Sequence, residues 1–376
     1  IVYDTPRDSA NRLTVNQAGI QLGGPGSLEL VAGGDLDLGT GLGILTRGNL
    51  MNPALPSGGA DVMVMVGLAA FDAALDKLRL DIGAELAATG TLSQALLDEA
   101  RLISGNPDLQ PQDALAALSG ATALSGAIDR LYLQIDQSIA SGAFTDALAS
   151  SNALSVEAND LLIQSRLLTG IDDLQPSAVL GQLSSIKTLP LAQQESMVRE
   201  MVFEGARTAG RRATDTASEY FGNYDLGYKT IELAFPCIDC KDAAGEQKYY
   251  DGDINGFFSQ VRTEQGGGMD FLVPGGRWVV GLANVPEELY GLKAGLNEDY
   301  VVNYKNTDYT GLKAVSVAAS YLGVVSGGEG DIRAVVYDDI LVNQSRILTL
   351  TGSGMLLWSS QADIDAGKGK KTITSV

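Results

Sequence analysis

Over the first 66 residues, apolar side chains alternate with others, at Leu28, Leu30, Leu36 and Leu38 and again at Val62, Val64 and Val66, and paired glycines interrupt the pattern. A period of two with frequent breaks predicts short strands joined by tight turns. From about Leu68 the period lengthens to that of a helix. Leu75, Leu78, Ile82 and Leu86, then Leu96, Leu97, Ala100 and Ile103, recur on one face, while Ala, Leu, Gln and Glu displace Gly and Val. After Gly222 the short apolar runs and the glycines return. The pattern predicts a mixed β and α protein: β coils over residues 1–66, a helical domain over 67–222, and β coils with loop excursions over 223–376. The acidic, Tyr-rich stretch from Val285 to Tyr309 reads as one such surface excursion.

Internal repeats sharpen this division. Gly26 to Gly39 and Gly354 to Gly367 share one spacing, Gly, nine residues to Asp, an apolar residue, Asp, one residue and Gly, at an offset of 328. Leu42-Gly43-Ile44-Leu45-Thr46 is matched by Leu322-Gly323-Val324-Val325-Ser326, Gly252-Asp253-Ile254 by Gly330-Asp331-Ile332, and Gly268 to Gly281 repeats the opening span with Arg277 where Asp would stand. Degenerate copies of one short β unit on both sides of a helical stretch predict stacked coils, each hiding its apolar side against its neighbours. The helical stretch carries its own duplication at an offset of 65. Arg101 to Pro111 matches Arg166 to Pro176, each copy a helix stopped by Gly105 or Gly170 and a second one opened by proline. Two hairpins of one design pack on each other, or leave a groove between them.

Composition narrows the function classes. There are 26 Lys and Arg against 46 Asp and Glu, a net charge of −20, which repels phosphate backbones and anionic headgroups and argues against nucleic-acid binding. The chain has no histidine, and so lacks the usual neutral-pH base, triad member and transition-metal ligand. The expectation is therefore a protein that is not an enzyme and uses no cofactor. The longest apolar run, Val62 to Phe71, is far short of the roughly 20 residues that span a bilayer, so no membrane insertion is expected. The chain opens on Ile1 with no export signal and reads as a piece of a longer protein.

The segment from Gly252-Asp-Ile-Asn-Gly256 through Gly266-Gly-Gly-Met-Asp270 to Pro274-Gly-Gly276 resembles a C-terminal conserved region of the filamentous haemagglutinin family, the large exoproteins exported by two-partner secretion. The closing run is similar to that region's last coils, in Leu341-Val-Asn-Gln-Ser-Arg346, Leu357-Trp-Ser-Ser360 and Asp363-Ile-Asp-Ala-Gly-Lys-Gly369. The resemblance implies a right-handed parallel β-helix, a solenoid, interrupted by an inserted α-helical domain, in a secreted adhesin on a Gram-negative cell surface. It implies a structural and adhesive role in cell-surface, host or biofilm-matrix adhesion. The partners it implies are an outer-membrane two-partner secretion transporter and a glycan or cell-surface receptor, with no catalytic residues. Met269 and Met355 depart from the family, whose members often carry an acidic or polar residue there, and Cys237 to Tyr249 reads as an added loop. Two alternatives stay open: a carbohydrate-active enzyme on a parallel β-helix, and a carrier segment of a contact-dependent toxin-delivery exoprotein.

Candidate chemistry is sparse. In an exported protein Cys237 and Cys240 form a local disulfide pinning the loop to Tyr249; a redox pair or a zinc site are the alternatives, and the latter lacks further ligands. Asp35 and Asp37, and likewise Asp363 and Asp365, lie two apart on one strand face while Leu36, Leu38 and Ile364 point inward. They read as solvated edge carboxylates, with weak calcium ligation between coils as the alternative. Asp251 to Gly256 begins like a calcium loop, but its twelfth position is Arg262. Trp278 and Trp358 fall at strand positions and read as core or stacking residues rather than carbohydrate platforms. Asn343-Gln344-Ser345 has the glycosylation pattern, and Lys368, Lys370 and Lys371 read as a solvated tail. The ligand-binding residues are unknown from sequence.

Overall fold

The structure, a computed structural model, describes residues 19–38, 42–49, 52, 54–118, 122–218, 220–242, 245, 247–257, 259–281, 301–304, 307–310, 322–343 and 345–366. The lysines at 368, 370 and 371, and residue 344 of the glycosylation pattern, lie outside these residues. The chain divides into two compact units, one of residues 1–67 with 251–376 and one of residues 68–250. The helical unit thus continues 28 residues past the expected end at 222, because a further helix and the cysteine loop belong to it.

The first unit consists chiefly of three parallel sheets of five strands each, which the chain visits in rotation. The first circuit is β1 (Gly19–Leu22), β2 (Gly26–Val31) and β3 (Leu36–Asp37); the second is β4 (Gly43–Thr46), β5 (Ala60–Met65) and, after the helical unit, β6 (Ile254–Asn255). The third is β7 (Gln260–Thr263), β8 (Met269–Val273) and β9 (Trp278–Val279). An antiparallel pair, β10 (Val301–Tyr304) and β11 (Thr307–Thr310), follows in sequence and is the described part of the expected excursion. The last two circuits are β12 (Gly323–Ser326), β13 (Ile332–Val336) and β14 (Ile340–Leu341), then β15 (Ile347–Thr349), β16 (Met355–Ser359) and β17 (Ile364–Asp365).

Parallel in-register stacking turns the period of two into columns of like residues. Leu28, Val62, Met269, Ile332 and Met355 share one register position, and Leu30, Val64, Phe271, Ala334 and Leu357 the next but one. On the other sheets Ile20, Ile44, Val261, Val324 and Ile347 align, as do Leu36, Ile254, Trp278, Ile340 and Ile364. The inward residues of the middle circuits join one core. Inside it, the rings of Phe271 and Trp278 stack at 4.3 Å. A hydroxyl column, Thr46, Thr263 and Ser326, is fully buried beside it.

The repeats acquire physical reasons here. Gly43 and Gly323 occupy one column at positive φ (83° and 101°), and a Cβ on either would lie 2.0 Å from the carbonyl oxygen of Gln260 or Arg346 one circuit on. Only glycine lets the circuits close to strand spacing there. Both Gly-Asp-Ile copies perform one task in different sheets. The Asp253 carboxylate accepts the backbone N–H of Arg277 at 2.8 Å, that of Asp331 accepts the N–H of Gly354 at 2.7 Å, and the isoleucine enters the core. The offset of 328 describes the register of β3 on β17, whereas β2 and β16 are offset by 327, since Leu28 shares its column with Met355. Counted from one shared column, the path from Trp358 to Ile364 is one residue longer than that from Val31 to Leu36.

In the second unit, nine helices are described: α1 (Ala69–Thr89), α2 (Gln94–Ser104), α3 (Ala114–Leu118), α4 (Gly126–Ala140), α5 (Asp146–Ser150), α6 (Val156–Thr169), α7 (Pro176–Ile186), α8 (Leu191–Thr214) and α9 (Asp225–Ala234). The duplicated hairpins, α2 with α3 and α6 with α7, repeat their bonds as well as their letters. α2 and α6 end on left-handed Gly105 and Gly170 (φ 69° and 68°). The Arg101 Nε donates to the Leu109 carbonyl at 3.2 Å and the Arg166 Nε to that of Leu174 at 3.2 Å, while the Gln110 and Gln175 amides donate to the carbonyls of Asp108 and Asp173. The long α8 packs on α6 and α9, and Gly205 admits Thr230 of α9 so closely that a Cβ would meet its side chain at 2.8 Å.

Candidate functional site

The cysteine loop follows directly on α9. Cys237 and Cys240 are joined as a disulfide with their Cα atoms 5.0 Å apart, Cys237 holds a left-handed φ of 63°, and the Cys240 N–H donates to the Cys237 carbonyl at 3.0 Å. The Gln247 side chain donates to the Ile238 carbonyl and the Lys248 N–H to that of Cys240, so the loop folds back on itself. It then runs into Tyr249 and Tyr250, both buried. Tyr250 stacks on Phe71 at 5.4 Å and donates to the Pro236 carbonyl at 3.1 Å, and Tyr249 meets Phe71 edge-on at 5.8 Å. By chain entropy a closed loop this short contributes about 2 kcal/mol. Replacing both cysteines by serine is expected to lower the stability of the helical unit by that amount, read from urea unfolding followed by circular dichroism, and dithiothreitol should reproduce the shift in the parent protein.

Glu99 of α2 fastens the same loop. Its Oε1 accepts from the Tyr249 hydroxyl at 2.5 Å and from the Lys248 ammonium at 2.9 Å, and the ammonium also lies 4.4 Å from the Tyr249 ring centre. Burial works to raise the Glu99 carboxyl, but the hydrogen bonds from Tyr249 and Lys248 outweigh it and hold the group below its ordinary value. The folded pKa lies under the unfolded one, so the tie stabilises fully above the ordinary glutamate range and is lost as pH falls through the lowered value. Glu99→Gln is expected to cost about 1 kcal/mol at neutral pH. The gap between mutant and parent in urea midpoint should close as pH drops below about 4.

Beside this loop a cleft of about 410 Å³ is lined by Arg130, Asp160, Gln164, Lys229 and Cys237 among others. Its buried charges are answered from within the protein. Asp160 accepts from Lys229 at 2.8 Å, and the Gln164 amide donates to the Thr230 hydroxyl at 3.1 Å. The guanidinium of fully buried Arg130 donates to the carbonyls of Leu233, Ile103 and Ala123 at 2.8, 3.1 and 2.8 Å and to that of Ala234 at 3.4 Å. Burial lowers Arg130 to about 10, so it is charged at neutral pH. The carbonyls of Ile103, Leu233 and Ala234 close α2 and α9. One cation thus serves two helix ends, where unpaired carbonyls and the helix dipoles concentrate negative charge.

The aspartate pairs stand far apart. Asp37 is on β3 and Asp365 on β17, opposite edges of one sheet, four strand steps or about 19 Å from each other. Their neighbours Asp35 and Asp363 share a column with Asp253, Arg277 and Asp339 at the entrance of that sheet. The column clips circuits together: Asp35 accepts the N–H of Asp253 at 2.7 Å, and Asp339 that of Asp363 at 3.1 Å. Arg277 interrupts the row of like charges, its Nε 3.4 Å from Asp253. Among the described residues no three His, Cys, Asp or Glu are grouped to hold a metal ion. Trp278 is in the core, and Trp358 is 8% exposed with its indole N–H donating to the Ser360 hydroxyl at 3.1 Å.

Sequence reasoning missed Arg130, which looks like any helical arginine; its signal, an arginine following Ala127 and Ile128 on an otherwise apolar face, is weak. Among the described residues no helix is long and apolar enough to cross a membrane. Comparison with protein families, with curated proteins and with solved structures finds no match.

Proposed function

We propose that this chain is a structural and adhesive segment of a large secreted bacterial surface exoprotein of the filamentous haemagglutinin type, and that it acts without catalysis. Its β unit is read as a right-handed parallel β-helix with the helical unit inserted in its second circuit. The observation that carries the reading is the rotation of the chain through three in-register parallel sheets, with columns of like residues and glycine at the closing corners. A stack of this kind gives each circuit only its neighbours to pack on, which suits reach and display more than a concave active site. The absence of histidine and the separation of the acidic pairs by the width of a sheet support a role other than hydrolysis. The partners proposed are an outer-membrane transporter for the whole protein and a cell-surface or glycan receptor.

The test is binding of the purified chain to whole cells and to a glycan array, with and without calcium. Saturable binding to a defined cell type or glycan is expected. Silence in both conditions overturns the adhesive part.

A further inference from the structure

The duplicated hairpins differ where their charge is balanced. In the first, Arg101 is paired with Asp98 at 3.4 Å, and Glu99 follows. Sixty-five residues on, these acids are replaced by Ile163 and Gln164. Arg166 keeps its bonds to the Leu174 carbonyl, at 3.2 and 3.0 Å, but among the described residues it has no carboxylate partner. It opens instead onto a pocket of about 570 Å³ shared with Arg212, Asn152, Asn159, Gln175 and Tyr220. No aspartate or glutamate is among the described residues that line it. Arg212 lies over the Tyr220 ring at 4.9 Å, and its Nη1 is buried without a hydrogen-bond partner. Two guanidinium groups with no aspartate or glutamate among the described residues of their pocket contrast with a chain of net charge −20.

We infer that this pocket binds a small carboxylate-bearing sugar of the uronic-acid class. Guanidinium matches a carboxylate with two parallel donors, which supplies the anionic anchor. The Asn159 amide donates to the Tyr220 hydroxyl and that of Gln175 to the Asp173 carbonyl, so the Asn152 amide and the side-chain oxygens of Asn159 and Gln175 are the neutral groups of the kind that read ring hydroxyls. The volume falls within the range of small-ligand sites. The surrounding negative charge works against long polyanions and leaves a single terminal acidic residue as the ligand that fits. The inference is independent of the adhesive reading, since the pocket belongs to the helical unit alone.

The experiment is calorimetric titration of the full chain with glucuronic acid, glucose and sodium sulfate. Glucuronic acid should bind saturably at one site, and glucose and sulfate each at least about tenfold more weakly. Arg212→Gln should weaken glucuronic acid about tenfold or more. Val156→Asp provides a variant that leaves the fold intact: Val156 is 46% exposed at the rim and opens α6, where an acid is favourable. It returns a carboxylate to the pocket and should weaken binding by a similar factor. No heat from glucuronic acid, equal binding of glucose or of sulfate, or indifference to both substitutions would each overturn the inference. Cell binding that survives such a result would leave the adhesive reading standing.

Discussion

Met269→Asp is expected to unfold the β unit, with a loss of more than about 5 kcal/mol. Met269 is fully buried in the column that runs from Leu28 through Val62 to Ile332 and Met355, and it packs in the core that holds Phe271 and Trp278. Removing its side chain forfeits roughly 2 to 3 kcal/mol of burial. The carboxylate then adds a charge in a place whose neighbours along the column are a valine and an isoleucine. Met355→Asp is the control in the same column. Met355 is 45% exposed at the last strand of its sheet, and the same change there should cost less than about 1 kcal/mol. Urea unfolding followed by far-ultraviolet circular dichroism and by tryptophan fluorescence would read both. A parental midpoint for Met269→Asp would show that this residue does not face the core.

Arg130→Met should destabilise the helical unit by about 3 to 5 kcal/mol. Methionine fills much of the aliphatic volume, so the loss isolates the guanidinium. Four carbonyl oxygens that now share one cation would be left to water or to nothing. Arg130→Lys keeps the charge but not the fork of donors, and should recover less than half of the loss. Thermal and urea unfolding of both variants would check this, and equal stability of Arg130→Lys with the parent would show that charge alone matters.

The parts of this fold that depend on short periods were legible in the sequence. Alternation placed Leu36, Leu38, Val62, Val64 and Val66 in the core but not Ile364, which is 45% exposed on the last strand of its sheet, and the glycines of the repeated Leu-Gly-apolar motif marked the closing corners. Proline and glycine likewise marked both helical hairpins. What could not be read was pairing across long distances. The reading that placed Gly-Asp-Ile at equivalent points could not tell that one copy opens a strand of one sheet and the other a strand of another. The domain end was misjudged at Gly222 because α9 is short and is followed by a loop with no helical period. For the candidate site the cysteine pairing lay within four residues and was open to sequence reasoning. The pocket of Arg166 and Arg212 was not, since its residues come from the end of α5, from α6, from the residue before α7, from the end of α8 and from the loops beside them.

The second circuit is interrupted in sequence but continuous in space. Between β5 and β6 the chain makes a detour of 183 residues, yet Gly67 and Gly252 touch, a Cβ on Gly252 falling 2.7 Å from the Gly67 backbone. Closing so long a loop from an open chain costs about 5 kcal/mol of entropy. If the helices collapse first, their local contacts bring the two ends of the detour together and the circuit closes as though it were continuous. Such an order, with the helical unit formed first and the three later circuits built on β6 afterwards, would avoid that cost.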